Sequence, residues 1–180
     1  MRFNEWLRRV DEKAEERGHK TLWQFVKFLV VSLLTTGVQL LLVNLLYFFL
    51  KGWVDPLPGL LGQIFNEATL GEGHASWGYL LPFFLSNLIA NTIGYFLNRS
   101  KTFRSDAPWW HYALYLIVLL LLIVFSTWLQ GVIVNGLIQV GWEGAAPTIA
   151  AMVAGGFQFL ALFPLQKFVF LREKKAELQK

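Results

Sequence analysis

The sequence contains no cysteine and only three histidines, and charged residues make up 16% of the chain. Without cysteine there is no disulfide framework, no thiolate nucleophile and no cysteine-based metal site. His19, His74 and His111 are far apart and never spaced i, i+4, which argues against a histidine metal cluster. Soluble proteins carry about 25% charged residues. This shortage of charge excludes a soluble enzyme, a disordered chain and a conventional nucleic-acid-binding domain, despite the net charge of +4.

Four long stretches contain no Asp, Glu, Lys or Arg, namely residues 28–50, 73–98, 107–142 and 144–166. Each exceeds the roughly 20 residues that a helix needs to cross a bilayer core of about 30 Å. Because lipid offers the backbone no partners, and because the stretches do not alternate in polarity, helices are expected rather than barrel strands. We predict an all-α integral membrane protein with four transmembrane helices, at about 23–50, 78–98, 109–136 and 146–170.

The distribution of lysine and arginine predicts the orientation. Of the 16 such residues, all but Lys51 lie in the N-terminal segment through Lys27, between spans two and three, or at the C-terminal end from Lys167 onward. An even number of spans puts those three segments on one face, and the positive-inside rule makes that face cytoplasmic. Both termini are therefore expected in the cytoplasm of a protein of the cytoplasmic membrane, with no cleavable signal peptide.

The segments outside the spans divide into a leader (1–21), a loop on the outer side (51–77) and a basic tail (173–180) that follows the transmembrane domain (22–172). Phe3, Trp6 and Val10 recur at helical spacing, which favours an amphipathic leader helix on the inner membrane surface. A solvated leader without membrane contact stays open. In the loop, the apolar residues after Pro58 predict a short interfacial helix that ends near Gly71 and Gly73.

Polar residues in a membrane helix each need a partner or a functional use, and the second span is the richest in them. Asn87, Asn91, Gly94 and Asn98 fall on one helical face, which leads to Arg99. One interpretation is that they only hold helices together, and this is favoured for Gly94. For Asn91 with Asn98 and Arg99 we favour function, since three polar groups leading to a basic cluster exceed what packing requires.

The sequence of the fourth span partly repeats that of the second, 67 residues further along the chain. Gln158 then matches Asn91, and Phe170 matches Phe103. Since the two spans run in the same direction, this predicts a parallel 2+2 pseudo-repeat rather than an inverted one. The repeat is incomplete, because the positions of Asn98 and Arg99 are matched by leucine and glutamine.

These residues carry a family resemblance. Lys27-Phe28 opens the first span, the segment 96–103 (FLNRSKTF) closes the second, and 168–170 (FVF) closes the fourth. A four-span chain with these features resembles the GtrA-like family, over about residues 21–172. Two departures are a serine at Ser32, where the family often has glycine, and Leu165-Gln166-Lys167 in place of a second Asn-Arg pair.

The resemblance implies movement of a polyprenyl-phosphate-linked sugar across the cytoplasmic membrane, for glycosylation of cell-envelope polysaccharide outside. Cations at the inner interface suit the lipid phosphate, and amides within the spans suit the sugar. The candidate phosphate-binding residues are Lys27, Arg99, Lys101 and Lys167, and the candidate sugar-path residues are Asn87, Asn91, Asn98 and Gln158. The alternative for the cations is an orientation signal with lipid-headgroup contacts.

The four spans contain no carboxylate, and the sequence has no ATP-binding motif. Proton-coupled small transporters rely on a membrane-embedded acid, so we expect uncoupled translocation, no catalytic activity, and no cofactor or metal. Two other classes stay open: an adaptor that recruits a glycosyltransferase, and, less favoured, a prenyl-phosphate transferase, which would need acidic metal ligands.

The expected partners are the lipid-linked sugar, membrane lipids, further copies of the chain and a glycosyltransferase, but no nucleic acid. Close contact between copies would use Ala150, Ala151, Ala154, Gly155 and Gly156.

Overall fold

The computed structural model describes residues 3–70, 75–142 and 146–171. Within these ranges the chain forms seven α-helices and no β-strand. The helices are α1 (Phe3–Glu16), α2 (Lys20–Leu50), α3 (Gly59–Ile64), α4 (Glu67–Leu70), α5 (Trp77–Leu97), α6 (Trp109–Gln139) and α7 (Ala146–Pro164).

Four of these helices, α2, α5, α6 and α7, are long and apolar enough to cross a membrane. Over the described residues, the predicted all-α fold with four helices of transmembrane length is confirmed, and these helices fit a multi-pass membrane protein. α2 and α6 each contain 31 residues, which corresponds to roughly 46 Å of helix. Because a bilayer core is about 30 Å thick, both helices tilt or extend beyond it.

The four long helices form two antiparallel pairs. α2 packs along α5, and α6 packs along α7, with fewer contacts between the pairs. Gly94 permits the close approach within the first pair, since a Cβ atom there would lie 3.2 Å from Cγ2 of Thr35. We call the end where α2 begins and α5 ends the basic end, and the opposite end, where α2 meets the 51–76 segment, the loop end.

Aromatic side chains join the two pairs at the basic end. Phe28 of α2 is 2% exposed, and its ring lies 5.2 Å and 5.3 Å from the ring centroids of Phe159 and Phe163 on α7. Phe103 and Phe170, which follow α5 and α7, are also buried in this cluster. The contact is local, because α2 and α7 touch little elsewhere.

The segments outside the four long helices are partly as expected. The leader is helical over Phe3–Glu16, and the short helix predicted in the loop is α3. Phe65, just after α3, is fully buried against Phe84 of α5, so the loop packs onto the bundle. In place of one loop helix that ends near Gly71 and Gly73, the structure has α3, which ends at Ile64, followed by α4. Gly71, Gly73 and the basic tail at 173–180 lie outside the described residues.

Gly78 is required where α5 begins at the loop end. Its amide donates to the Trp53 carbonyl over 2.8 Å, and a Cβ there would collide with the carbonyl oxygens of Leu50 and Trp53.

We expect Gly78→Ala to lower stability by about 2 kcal/mol, because rigid backbone must move aside. Unfolding in mixed micelles measures this. Gly136→Ala is the control, since a Cβ at Gly136 meets no atom within 4 Å; equal stability of the two variants would contradict the assignment.

Candidate functional site

A cavity of about 310 Å³ lies between the two helix pairs, and its lining combines apolar side chains with hydroxyl and amide groups. All four long helices contribute to it, and its described lining includes no charged side chain. Hydroxyl and amide groups provide both donors and acceptors there. The polar lining residues are Thr36, Gln39, Asn87, Ser126, Thr127, Gln130 and Gln158.

The cavity lies near the middle of the bundle's length. Gln39 and Gln158 each come roughly halfway along their helical segments, which run from Lys20 to Leu50 and from Ala146 to Phe170. In lipid this depth carries no bulk water, so polar groups there must find partners in protein, trapped water or a ligand. Ser126, on the cavity wall, has a buried hydroxyl without a hydrogen-bond partner among the described residues. The cavity is therefore suited to hold water or a polar ligand.

The cavity reaches the bundle surface between α2 and α7. Thr36 and Leu40 of α2 and Gly155 of α7 all line it, and all three are exposed. Because α2 and α7 are in contact mainly at the basic end, the gap between them lies toward the middle of the bundle. A lipid could place a polar headgroup in the cavity and keep its chain outside.

The predicted sugar-path residues divide into two places. Asn87 and Gln158 line the cavity, and Asn91 lies beside it, donating through Nδ2 to Oδ1 of Asn87 over 2.6 Å. Asn98 is eleven residues beyond Asn87, roughly 16 Å along the helix. Three of the four are thus brought together, while Asn98 belongs to the basic end.

Asn98 begins a π-helical turn, Asn98–Thr102, that continues α5. Its Oδ1 accepts a hydrogen bond from the Thr102 hydroxyl over 2.8 Å, and its carbonyl accepts from the Phe103 amide five residues on. Such turns occur often at functional sites. α7 likewise continues as a π-helical turn, Leu165–Phe170.

The predicted phosphate-binding cations all lie at the basic end but make different contacts. Lys27 donates to the backbone carbonyl of Lys101 over 3.0 Å, and Arg99 Nε donates to the Ser105 carbonyl over 3.3 Å. Lys167 donates to the Thr21 hydroxyl over 2.7 Å and lies over the ring of Phe163. The structure therefore joins Lys27 with the Lys101 backbone, while Lys167 contacts the first turn of α2.

A carboxylate from the leader also enters this region. Asp11 of α1 accepts hydrogen bonds from Nζ of Lys27 over 3.0 Å, from Nη2 of Arg104 over 2.6 Å and from the indole nitrogen of Trp23. Asp11, Trp23 and Arg104 are not among the site residues predicted from the sequence. Helical periodicity places Asp11 at the edge of the apolar face of α1, beside Leu7 and Ala14, but nothing in the sequence shows that this face meets α2.

Cavity residues in spans one and three, chiefly Gln39 and Gln130, are also absent from the predicted site. The signal was available, because each is an uncharged amide within an apolar run, as Asn87 and Gln158 are. Of the small residues proposed for contact between copies, Ala150 and Ala154 are buried within the chain, whereas Gly155 and Gly156 are exposed. The side chain of Ala151 lies outside the described residues.

Within residues 3–70, 75–142 and 146–171, no group of His, Asp and Glu side chains is placed to hold a metal ion. Comparison of the chain with protein-family models, with curated proteins and with solved structures gives no match.

Proposed function

We propose that this protein translocates a polyprenyl-phosphate-linked monosaccharide across the cytoplasmic membrane, for glycosylation of cell-envelope polysaccharide. The observation that carries the proposal is the polar cavity at mid-depth, lined by amides from all four long helices and open to the surface between α2 and α7. An adaptor or a structural protein has no use for such a cavity, because polar groups at this depth are costly.

For this function the protein must replace the hydrogen bonds that the sugar makes with water. A sugar that enters the bilayer core loses its hydrogen bonds to solvent, and burying unpaired hydroxyls is unfavourable. Gln39, Asn87, Gln130 and Gln158 offer donors and acceptors in their place. The prenyl chain stays in lipid beside the gap between α2 and α7. Since the described cavity lining carries no charge, the translocation is uncoupled and follows the gradient of the lipid.

The proposed orientation puts the basic end in the cytoplasm, with both termini there. Under this arrangement Lys27, Arg99, Lys101 and Lys167 attract the lipid phosphate at the inner surface. The π-helical turns that continue α5 and α7 begin 67 residues apart, at the offset of the partial sequence repeat. This supports descent of the two helix pairs from a parallel 2+2 repeat, and the likeness to the GtrA-like family.

The protein is further proposed to work as a homo-oligomer that acts without cofactor or catalysis. Four helices enclose little volume, and the exposed Gly155 and Gly156 allow another helix to approach the edge of the cavity. A membrane glycosyltransferase that uses the translocated lipid on the outer surface is the second proposed partner.

Translocation in proteoliposomes tests the proposal. A fluorescent polyprenyl-phosphate hexose is incorporated, and its transfer between leaflets is followed by quenching from outside. We expect the protein to accelerate transfer well above that in empty liposomes, without nucleotide, Mg²⁺ or a proton gradient. Transfer no faster than in empty liposomes, for a folded protein and several hexoses, would contradict the proposal, and would favour the adaptor if a glycosyltransferase then co-purified. A requirement for Mg²⁺ would favour the transferase.

A further inference from the structure

The Asp11 carboxylate of α1 occupies a pocket of hydrogen-bond donors that come from two other parts of the chain. Oδ1 accepts from Lys27 Nζ over 3.0 Å and from the Trp23 indole, and Oδ2 accepts from Arg104 Nη2 over 2.6 Å. Asp11 lies in α1, Trp23 and Lys27 in α2, and Arg104 after the π-helical turn. An ammonium, a guanidinium and an indole N–H around one anion make charge-assisted hydrogen bonds from several directions.

The contact differs from an ordinary surface ion pair in its burial and its backbone. The side chains of Lys27 and Asp11 are only 10% and 17% exposed, whereas Arg104 is 44% exposed, so docked α1 covers most of Lys27 and leaves part of Arg104 open. By contrast, the Arg8–Glu12 pair on α1 is more than half exposed. Arg104 also has a φ of 48°, a left-handed conformation that non-glycine residues rarely adopt. Such a conformation persists only where the surrounding structure imposes it.

We infer that Trp23, Lys27 and Arg104 form a binding site for the phosphate group of a lipid, and that Asp11 is its intramolecular occupant. The phosphate of a lipid carries at least one negative charge at neutral pH, as the Asp11 carboxylate does, so it can take the place of Asp11 among these donors. α1 is then a reversible plug that leaves the site when lipid phosphate binds. The inference deepens the proposed function and rests on it for the identity of the lipid.

The proposed phosphate site lies next to the polar residues of the π-helical turn Asn98–Thr102. A small cavity of about 50 Å³ lies beside Asp11, and Gln24 and Thr102 line it. Thr102 donates to Asn98, so the Asn98 side chain is one hydrogen bond away from the cavity wall. A headgroup that displaced α1 would meet Lys27 and Arg104 through its phosphate, and Gln24 and Thr102 through its sugar.

Binding of a polyprenyl phosphate to the full-length protein in nanodiscs of neutral lipid tests the inference. We expect Asp11→Asn to tighten binding about tenfold, since the competing carboxylate is removed and the site becomes accessible. Glu12→Gln is the matched control, because it removes the same charge from the same helix at an exposed position, and it should change binding less than twofold. Adding Arg104→Gln or Lys27→Gln to Asp11→Asn should abolish the gain.

Two further measurements identify the ligand and detect movement of α1. Inorganic phosphate that displaces the polyprenyl phosphate at similar concentrations assigns the site to phosphate itself, whereas displacement only by phosphatidylglycerol assigns it to lipid-borne phosphate. For movement, nitroxides are placed at Arg9→Cys and Ser100→Cys, which are unique because the chain has no cysteine. The distance between them should lengthen when polyprenyl phosphate is added.

Equal binding by wild type and Asp11→Asn, or an Arg9–Ser100 distance unchanged at saturation, would overturn the inference. The measurement needs no transport, so its failure is distinguishable from failure of the proposed function. A protein that translocates the lipid while Asp11→Asn binds as wild type does would overturn the plug alone. Tightened binding without translocation would overturn only the proposed function.

Discussion

Gln158→Leu is expected to reduce translocation of the lipid-linked sugar about tenfold, with little loss of folded protein. The side chain is half-buried on the wall of the cavity, and leucine has similar length but no donor or acceptor. A buried polar group that loses its hydrogen-bond partner costs about 1–3 kcal/mol, which corresponds to roughly five- to 150-fold in rate. The initial rate of leaflet transfer in proteoliposomes measures the effect.

The control is a leucine in place of an amide outside the cavity. Asn44 on α2 is exposed on the bundle surface, and its side chain only donates to the Leu40 carbonyl of its own helix. Asn44→Leu should therefore keep the wild-type rate. Equal rates for Gln158→Leu and wild type would show that the sugar does not depend on the cavity amides.

Phe28→Ala should produce the largest loss of stability, about 3 kcal/mol, because it removes the ring that joins the two helix pairs and leaves a cavity in its place. The ring is 2% exposed and meets Phe159, Phe163 and Phe103. Since lipid solvates an apolar side chain as well as protein does, the loss reflects packing rather than transfer to water. The free energy of unfolding in mixed detergent micelles measures it.

Leu33→Ala is the control for this prediction, since Leu33 lies on the same helix and is 65% exposed. It should change the free energy of unfolding by less than about 1 kcal/mol, because surface substitutions rarely do more. If Leu33→Ala destabilised the protein as much as Phe28→Ala, the aromatic cluster would not be the main link between the helix pairs.

The number and approximate ends of the four long helices could be predicted because hydrophobic length alone sets them. Residues 109 and 50 mark helix ends in both the sequence interpretation and the structure. α2 begins at Lys20, about one turn earlier than expected. The break between α1 and α2 is at Gly18, which has a positive φ, and the helix then includes a charged residue that precedes the apolar run.

The site could be predicted only in part, because hydropathy says which residues are polar but not which helices are neighbours. Asn87 and Gln158 could be found since amides are rare in apolar runs. Their convergence with Gln39 and Gln130 depends on how the helix pairs are packed. Asp11 could not be found at all, since its role depends on α1 folding back onto Lys27 and Arg104.

The most direct test of the central claim is protection of the cavity by the lipid-linked sugar. A single cysteine at Gln130→Cys on the cavity wall is treated with a water-soluble thiol reagent in proteoliposomes, and Leu121→Cys, on the exposed face of the same helix, is the control. We predict that Gln130→Cys reacts, that polyprenyl-phosphate hexose slows the reaction several-fold, and that Leu121→Cys does not react. An unreactive Gln130→Cys, or a reaction rate that the lipid leaves unchanged, would contradict a headgroup path through this cavity.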